Sequence, residues 1–320
     1  MQLSLRAVLT VVCVVPAMLP AQFSTPTQPD CGSYNLAMLA DGSFACERYA
    51  AFPWFAAGQG WSTQVAMYTA PGSGQLRGVR FQIGLGPGAS VKAVYGGLAG
   101  TYGNFTFVQP PVLAGSSARL DILSAAFAAP DLAYGPLWVQ LDAPDVQTLE
   151  AANLQLIFVF ADSTGKYNTQ VAVPPIFNDQ SALAWITSFS ETPVDKKPTA
   201  PNSNDCSFAV ANLSAQPQSV TVSLYDQSGN LLAQQTTPVL AAGLQNGAQV
   251  IPGGVFGIDF GTFFGLTSSA LTSSTGTIDG TVQFTSSAGL PIAPLVLRMA
   301  GNSISSFQVA PLRPFIPPVE

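Results

Sequence analysis

The chain has 320 residues, of which only 9% are charged, and its formal net charge is −6. Its 11 basic residues are scattered, and a nucleic-acid-binding protein needs clustered Lys and Arg to displace counterions from phosphates, so this class is excluded. The sequence contains no histidine, which removes the commonest general base, the Ser–His–Asp and Cys–His nucleophiles, and imidazole metal ligands.

The N-terminal residues have the layout of a secretory signal peptide. Arg6 precedes an apolar run over residues 7–19, and small residues lie near Ala21. A membrane-spanning helix needs roughly 20 apolar residues, whereas this run is shorter and is interrupted by Pro16. We therefore expect residues 1–21 to be a cleaved signal peptide. The mature chain is then expected to be secreted, extracellular or periplasmic, without a membrane span.

Export would place the remaining three cysteines in an oxidising compartment, where disulfides persist. Cys31 and Cys46 are closest in the sequence and are the natural pair, and their short loop would contribute up to ~3 kcal/mol in the chain-entropy model. Cys206 is then expected to be a buried thiol at the start of a strand. A bridge between Cys46 and Cys206 is the alternative.

Short runs of alternating apolar and polar residues, rich in Val, Phe, Tyr and Thr, recur between Gly, Pro and Asn. This pattern is typical of β-strands with one buried face. In chain order, the predicted strands cover residues 64–69, 78–83, 118–123, 137–142, 154–160, 169–173, 207–212, 219–225, 231–236, 281–285, 294–299 and 305–309. Only residues 146–153 and 255–264 have a helical composition. The predicted fold class is all-β.

The two halves of the chain resemble each other. PVLAG from Pro111 matches PVLAAG from Pro238, and GPLWVQLDA from Gly135 parallels GTVQFTSSA from Gly280. The offset is the length of a domain, which indicates a duplication rather than a short repeat. We expect an N-terminal extension over 22–50, a first β-sandwich domain over 51–190, a linker over 191–204, a second β-sandwich domain over 205–312 and a Pro-rich tail over 313–320.

The second predicted domain carries a recurring pattern of strands and turns. It consists of FAVANLS from Phe208, the hairpin VTVSLYDQSGNLLA from Val220, an apolar turn at residues 260–266, and GTVQFTSS followed by PIAPLVLRMAG. This pattern resembles a module of uncharacterised secreted bacterial proteins, and FPWFAAGQGWSTQVAMY from Phe52 looks like the opening of a more divergent copy. The resemblance implies tandem immunoglobulin-like or fibronectin-like β-sandwiches outside the cytoplasm. It implies no activity.

An aromatic group near the start of the first predicted domain is the best candidate for a ligand site. One charge-free, Gly-rich stretch contains Phe52, Trp54, Phe55, Trp61 and Tyr68. Exposed Trp and Tyr faces stack on sugar rings or act as hot spots for protein partners. We therefore predict Trp54, Trp61 and Tyr68 as ligand-binding residues. The alternative is that Phe52, Phe55 and Trp61 belong to the core.

No catalytic motif is present in the sequence, which lacks a G-x-S-x-G elbow, a phosphate loop and a dinucleotide fingerprint. Two carboxylates can hydrolyse glycans, and Asp142 and Asp145 are the closest pair in the first predicted domain. A strand-end Asp and a helix-capping Asp are the more ordinary interpretation. The same residues could hold Ca²⁺, although the dense Asp-x-Asp-x-Asp loop is missing. We expect no enzyme activity, no cofactor and no metal.

The sequence therefore predicts a secreted, non-enzymatic β-sandwich protein that serves as a binding, interaction or structural module. Its expected partner is a protein or a glycan surface. Carbohydrate binding through Trp54, Trp61 and Tyr68 is the first alternative, and a carboxylate-dependent glycan hydrolase is a distant one.

Overall fold

The computed structural model describes residues 27–39, 41–57, 60–84, 102–107, 117–120, 133–161, 168–177, 182–197, 203–246, 249–251, 253–270, 276–301 and 303–312. The predicted signal peptide and the Pro-rich tail lie outside the described residues. Regular structure is almost entirely β-strand, and every strand pairing among the described residues is antiparallel. The predicted all-β class is confirmed.

Within its described residues, the earlier part of the chain forms ten strands and one short helix. They are β1 (Asn35–Met38), β2 (Phe44–Ala57), β3 (Trp61–Thr69), β4 (Gly78–Gly84), β5 (Tyr102–Phe107), β6 (Ser117–Leu120), β7 (Ala133–Ala143), α1 (Val146–Ala151), β8 (Ala152–Ala161), β9 (Asn168–Val173) and β10 (Ile176–Phe177).

The described residues of the later part form eleven strands, one short helix and a 3₁₀ turn. They are β11 (Ala184–Glu191), β12 (Asn204–Asn212), β13 (Val220–Asp226), β14 (Leu231–Thr236), β15 (Leu244–Asn246), β16 (Gln249–Ile251), β17 (Val255–Asp259), α2 (Phe260–Phe264), the 3₁₀ turn Ser268–Ala270, β18 (Ile278–Ser286), β19 (Ile292–Ala300), β20 (Ser303–Phe307) and β21 (Ala310–Pro311).

Four of the sheets form two pairs, and each pair encloses a hydrophobic cluster. In the first sheet pair, a sheet of order β1-β2-β7-β4-β5, with β10 also alongside β2, faces a sheet of order β6-β3-β8-β9. In the second sheet pair, a sheet of order β14-β13-β18-β11-β21 faces one of order β17-β12-β19-β20. β15 and β16 form a separate two-stranded sheet.

Alternation along single strands explains which side chains enter these clusters, because successive residues of a strand point to opposite faces. In β3, Val65 and Met67 are buried and their neighbours are half-buried. In β11, every second residue is buried, namely Trp185, Thr187, Phe189 and Glu191. The alternation therefore points the Glu191 carboxylate inward at the end of the strand. A buried carboxylate must be paired or hydrogen-bonded, which makes Glu191 a residue of interest.

The two sheet pairs are packed against each other. Leu295 and Ile304, from β19 and β20, belong to the first hydrophobic cluster, whereas Ala51 and Ile176 belong to the second. The backbone N–H of Ile304 donates a hydrogen bond to Thr169 Oγ1 in β9 at 3.2 Å. The outer face of the sheet formed by β17, β12, β19 and β20 is therefore directed toward the first sheet pair, and this juxtaposition creates the candidate site.

All twelve predicted strands overlap observed strands, and several strands were not predicted, β2 being the longest. β1 and the beginning of β2 fall within residues 22–50, the expected N-terminal extension. β11 ends at the start of the expected linker and pairs with β18 and β21. The helix predicted over residues 255–264 is wrong in its first half. Residues Val255–Asp259 form a strand because they pair with β12, and the helix begins only at Phe260.

Candidate functional site

A bulge in β2 determines the position of Trp54. The pairing register of β2 with β7 shifts between Phe52 and Phe55, which leaves Pro53 and Trp54 outside the regular ladder. Proline cannot donate a ladder hydrogen bond and is tolerated in an inner strand at a bulge, and a bulge redirects the side chains beside it. Phe52 and Phe55 are fully buried as a result, whereas Trp54 is only half-buried.

Trp61 stands at the start of β3, just after the turn that follows β2. Its ring lies edge-on to Phe158, with centroids 6.4 Å apart, and is tilted against Phe160 at 4.8 Å. These contacts fix one side of the indole while the residue stays half-buried. Trp54 and Trp61 thus both reach the edge of the first hydrophobic cluster without being sealed inside it.

Both tryptophans line a cavity of about 320 Å³ between the two sheet pairs, which we call the inter-sheet cleft. The first sheet pair contributes Trp54, Ala56, Trp61 and Phe158. The second sheet pair contributes Ser207, Phe208, Ala209, Gly257, Ile258, Asp259, Leu295, Leu297, Met299 and Ile304. Among these lining residues, only Ser207 and Asp259 have polar side chains.

Small residues of the second sheet pair allow Trp54 to approach the sheet closely. Gly257 and Ala209 are paired in register between β17 and β12. A Cβ atom at Gly257 would lie 2.7 Å from Cζ3 of Trp54, too close for a real contact. The Trp54 indole therefore lies directly on the Gly257 backbone, and any larger residue there would displace the ring and change the shape of the cleft.

The polar groups of the cleft come from two facing positions. Ser207 and Asp259 are register partners across β12 and β17, so their side chains lie on the same face of the sheet. Asp259 also caps α2, because its Oδ1 accepts a hydrogen bond from the Thr262 N–H at 2.7 Å. The carboxylate is thereby held in a fixed orientation beside the serine hydroxyl.

Tyr68, the third predicted ligand-binding residue, does not line this cleft. It lies near the opposite end of β3 from Trp61 and pairs with Ser117 and Asn153 in the neighbouring strands. The structure brings Trp54 and Trp61 together and leaves Tyr68 apart. Phe52 and Phe55 are buried in the core, which was the alternative to a role in ligand binding.

Asp142 and Asp145, the predicted carboxylate pair, have different surroundings. Asp145 caps α1 by accepting from the Thr148 N–H at 2.7 Å. Asp142 is buried, with 1% of its surface exposed, and accepts from Gln140 Nε2 at 2.8 Å. The same amide donates to Glu47. Glu47 pairs with Asp142 across β2 and β7, so it is the carboxylate beside Asp142 in the sheet.

The Glu47 side chain is part of a buried polar cluster with Tyr49, Gln140 and Asp142. The Tyr49 hydroxyl donates to Glu47 Oε2 at 2.5 Å, and its ring stacks on Trp138 with centroids 4.6 Å apart. Burial raises the pKa of Tyr49 well above its usual range, and the Glu47 carboxylate adds to this effect. The phenol is therefore held as a hydrogen-bond donor.

The cysteines follow the prediction that the two closest in the sequence form the disulfide. Cys31 and Cys46 form a disulfide with Cα atoms 5.3 Å apart, and Cys206 is a free, buried thiol. The Cys206 thiol donates to the Ser190 carbonyl at 3.0 Å. Burial raises the pKa of Cys206 to about 12, so its reactive thiolate form is suppressed.

Glu191 is the centre of a second charged group, the Glu191 cluster, formed with Lys197 and Asp205. Lys197 Nζ lies 2.7 Å from Glu191 Oε1 and 2.5 Å from Asp205 Oδ1. The Cys206 N–H donates to Glu191 Oε2 at 2.6 Å. Burial raises the pKa of Glu191 to about 7, against the opposing effects of Lys197 and the Cys206 N–H. This cluster links the end of β11 to the start of β12.

Comparison of the chain with protein-family models and with curated proteins found no match. Within the described residues, no helix has the length and apolar character to span a membrane. The candidate site is therefore defined by its own geometry. Sequence patterns identified its two tryptophans but missed Ser207, Gly257 and Asp259, because only the packing of the sheet pairs brings these residues to Trp54.

Proposed function

We propose that the protein is an exported, non-enzymatic binding protein whose ligand site is the inter-sheet cleft. The observation that carries the proposal is the convergence of Trp54 and Trp61 on one concave, mostly apolar space of about 320 Å³. Small-molecule sites are typically concave, apolar spaces of roughly 300–1,000 Å³ with a few placed polar groups. The cleft has this composition and suits a ligand with one flat ring.

The proposed architecture is a tandem of two immunoglobulin-like or fibronectin-like β-sandwiches from a bacterial secreted protein. The enclosure of one hydrophobic cluster by each sheet pair supports it, as does the similarity between the two halves of the sequence. Export rests on the signal-peptide composition of residues 1–21. The Cys31–Cys46 disulfide is compatible with an oxidising compartment.

The shape of the cleft favours a small ligand over a protein surface. Hot spots for protein partners are enriched in Trp, Tyr and Arg and pack near the centre of a large interface. Trp54 and Trp61 instead face into a space that is closed on its other side by β12, β17 and β19. A ring of single-ring size fits that space, whereas the flat surface of a folded partner would meet only its rim.

Filling the cleft tests this proposal directly. Ala209 is buried in the cleft wall, and Ala209→Leu should occupy the volume that a ligand needs. We expect phenol or cyclohexanol to change the tryptophan fluorescence of the wild-type protein and to have little effect on Ala209→Leu. Trp138 and Trp185 are buried, so the signal would come chiefly from Trp54 and Trp61.

The matched control is Ala310→Leu, the same change at an exposed position in β21. This variant should respond to the ring compounds as the wild-type protein does. Equal titration curves for the wild-type protein and Ala209→Leu, or no response in any of the proteins, would refute the proposed site.

Carbohydrate binding is the second candidate, favoured by the two tryptophan faces beside Ser207 and Asp259. A sugar ring stacks its C–H face on an indole and needs polar partners for its hydroxyls. A glycan array with Trp54→Ala and Trp61→Ala as controls would test it. Binding of a glycan that both variants lose would support this candidate, and no signal at high protein concentration would remove it.

A further inference from the structure

The polar side chains of Ser207 and Asp259 lie together on one cross-strand row of the inter-sheet cleft. Ser207 and Asp259 face each other across β12 and β17, and side chains at such paired positions have Cβ atoms about 4.5–5.5 Å apart. One carboxylate oxygen of Asp259 holds the Thr262 N–H. In the described part of the chain, neither the other oxygen nor the Ser207 hydroxyl has a hydrogen-bond partner. This pair can therefore serve a ligand.

The charge beside this pair is negative. Asp259 is the only ionisable residue among the described lining residues. Asp205 lies two positions before Ser207 on β12 and so projects from the same face. Lys197 is held between Glu191 and Asp205 at 2.7 and 2.5 Å and does not line the cleft. None of the described lining residues is a cation, so Asp259 would repel a ligand carboxylate without a lining cation to balance it.

The remaining walls favour an apolar ring and tolerate a positive charge. Trp54 and Trp61 line the cleft with indole rings, and the faces of such rings attract ammonium groups as well as apolar rings. Leu295, Leu297 and Ile304 complete an aliphatic side that offers no hydrogen bonds to further polar groups. A polyhydroxylated ligand would lose the hydration of most of its hydroxyls without replacement, whereas a ring with a single polar group would not.

Building on the proposed function, we propose that the ligand class is a small ring amine. Its ring lies between the two tryptophans and the aliphatic side, and its ammonium group is bound by the Asp259 carboxylate and the Ser207 hydroxyl. Asp259 is then the specificity-determining residue. It selects amines over alcohols of the same shape and rejects carboxylates.

Three ligands of nearly equal size and shape test this assignment: 2-phenylethylamine, 2-phenylethanol and phenylacetate. Titrations by tryptophan fluorescence at neutral pH and low salt should give the tightest Kd for the amine, about three- to tenfold tighter than for the alcohol. Phenylacetate should bind more weakly than the alcohol. Added salt should reduce the preference for the amine, because it screens charge pairs near the surface.

Asp259→Asn is the matched variant, since Asn caps a helix as well as Asp does and should preserve the bond to Thr262. Its thermal unfolding and circular dichroism should match those of the wild-type protein. The expected result is that the amine and the alcohol bind this variant with nearly equal Kd, because the amine loses its charged partner.

The two proposals fail in different ways. If all three ligands bind and Ala209→Leu abolishes binding, but the amine has no advantage, the amine assignment is wrong and the cleft remains the site. An amine preference that survives in Asp259→Asn would also overturn the assignment. If none of the ligands binds to the wild-type protein, and phenol and cyclohexanol also fail, the proposed function itself is refuted.

Discussion

The two sheet pairs use their large aromatic residues in different ways. In the second pair, the Phe208 ring contacts Phe256, Phe260, Phe263 and Phe284 with centroids 5.2–6.0 Å apart. These rings build the interior between two sheets. In the first pair, the largest rings at the junction, Trp54 and Trp61, are half-buried and line the inter-sheet cleft.

This comparison indicates a division of roles between the two sheet pairs. The second sheet pair supplies a rigid floor of small residues and a fixed carboxylate, each held by strand pairing and by the helix cap at Asp259. The first sheet pair supplies the aromatic faces, positioned by the β2 bulge. Neither pair forms the site alone, so ligand binding should depend on their relative placement.

Removing an aromatic ring from each sheet pair should give the largest contrast. Phe260 is fully buried and contacts Phe189, Phe208 and Phe264, so Phe260→Ala should lower the free energy of unfolding by about 3–5 kcal/mol. Trp61→Ala should cost clearly less, because Trp61 is half-buried, while it weakens ligand binding. Urea unfolding monitored by circular dichroism would measure both losses. Equal losses would contradict the division of roles.

The disulfide should give the next largest effect. Cys31 and Cys46 are separated by 15 residues, and replacing both by serine should lower the free energy of unfolding by about 2–4 kcal/mol. A reducing agent breaks the same bridge and should therefore lower the free energy of unfolding of the wild-type protein by a similar amount.

Cys206 provides the contrasting thiol in the second sheet pair. Its raised pKa and its burial predict that a thiol reagent labels it only after unfolding. Rapid labelling of Cys206 in the native protein would contradict its assignment as a buried thiol. A free energy of unfolding unaffected by loss of the disulfide would contradict the stabilising role of the Cys31–Cys46 bridge.

The Glu191 cluster should make the stability of the second sheet pair depend on pH. The folded chain holds the Glu191 proton with a pKa of about 7, above the ordinary value of 4.5. The contribution of Glu191 to the free energy of unfolding is therefore complete below pH 4.5 and is lost as the pH rises through 7.

Glu191→Gln cannot ionise and should lack this loss. Between pH 4.5 and pH 7, wild-type stability should fall by roughly 1–3 kcal/mol relative to the variant. Urea unfolding of both proteins at the two pH values would measure the difference. Parallel changes in the two proteins would show that Glu191 does not carry the pH dependence.

Local patterns were sufficient to predict the all-β class and twelve strands, because alternation records which face of a strand is buried. β2 was missed since FACERYAAFPWFAA is rich in Ala and contains Pro53, both unfavourable in a strand. The bulge accommodates the proline, but a bulge depends on the partner strand. Tertiary pairing likewise converted Val255–Asp259 from a helical composition into a strand.

The candidate site could be predicted only in its aromatic half. Aromatic residues in a charge-free, Gly-rich stretch indicated Trp54 and Trp61 from the sequence alone. Gly257 and Asp259 gave no such signal, since one is a glycine in a strand and the other a helix cap. Their importance arises from a contact between residues far apart in the chain, which no local pattern records.

The most direct test of the inter-sheet cleft is a crystal structure of the protein with bound 4-bromophenethylamine, in which the bromine is located by its anomalous scattering. We expect a single strong peak between Trp61 and Gly257, with the amine nitrogen within hydrogen-bond distance of Asp259. A bromine peak elsewhere on the protein, with the cleft empty at a ligand concentration that saturates binding in solution, would contradict the assignment of this cleft as the binding site.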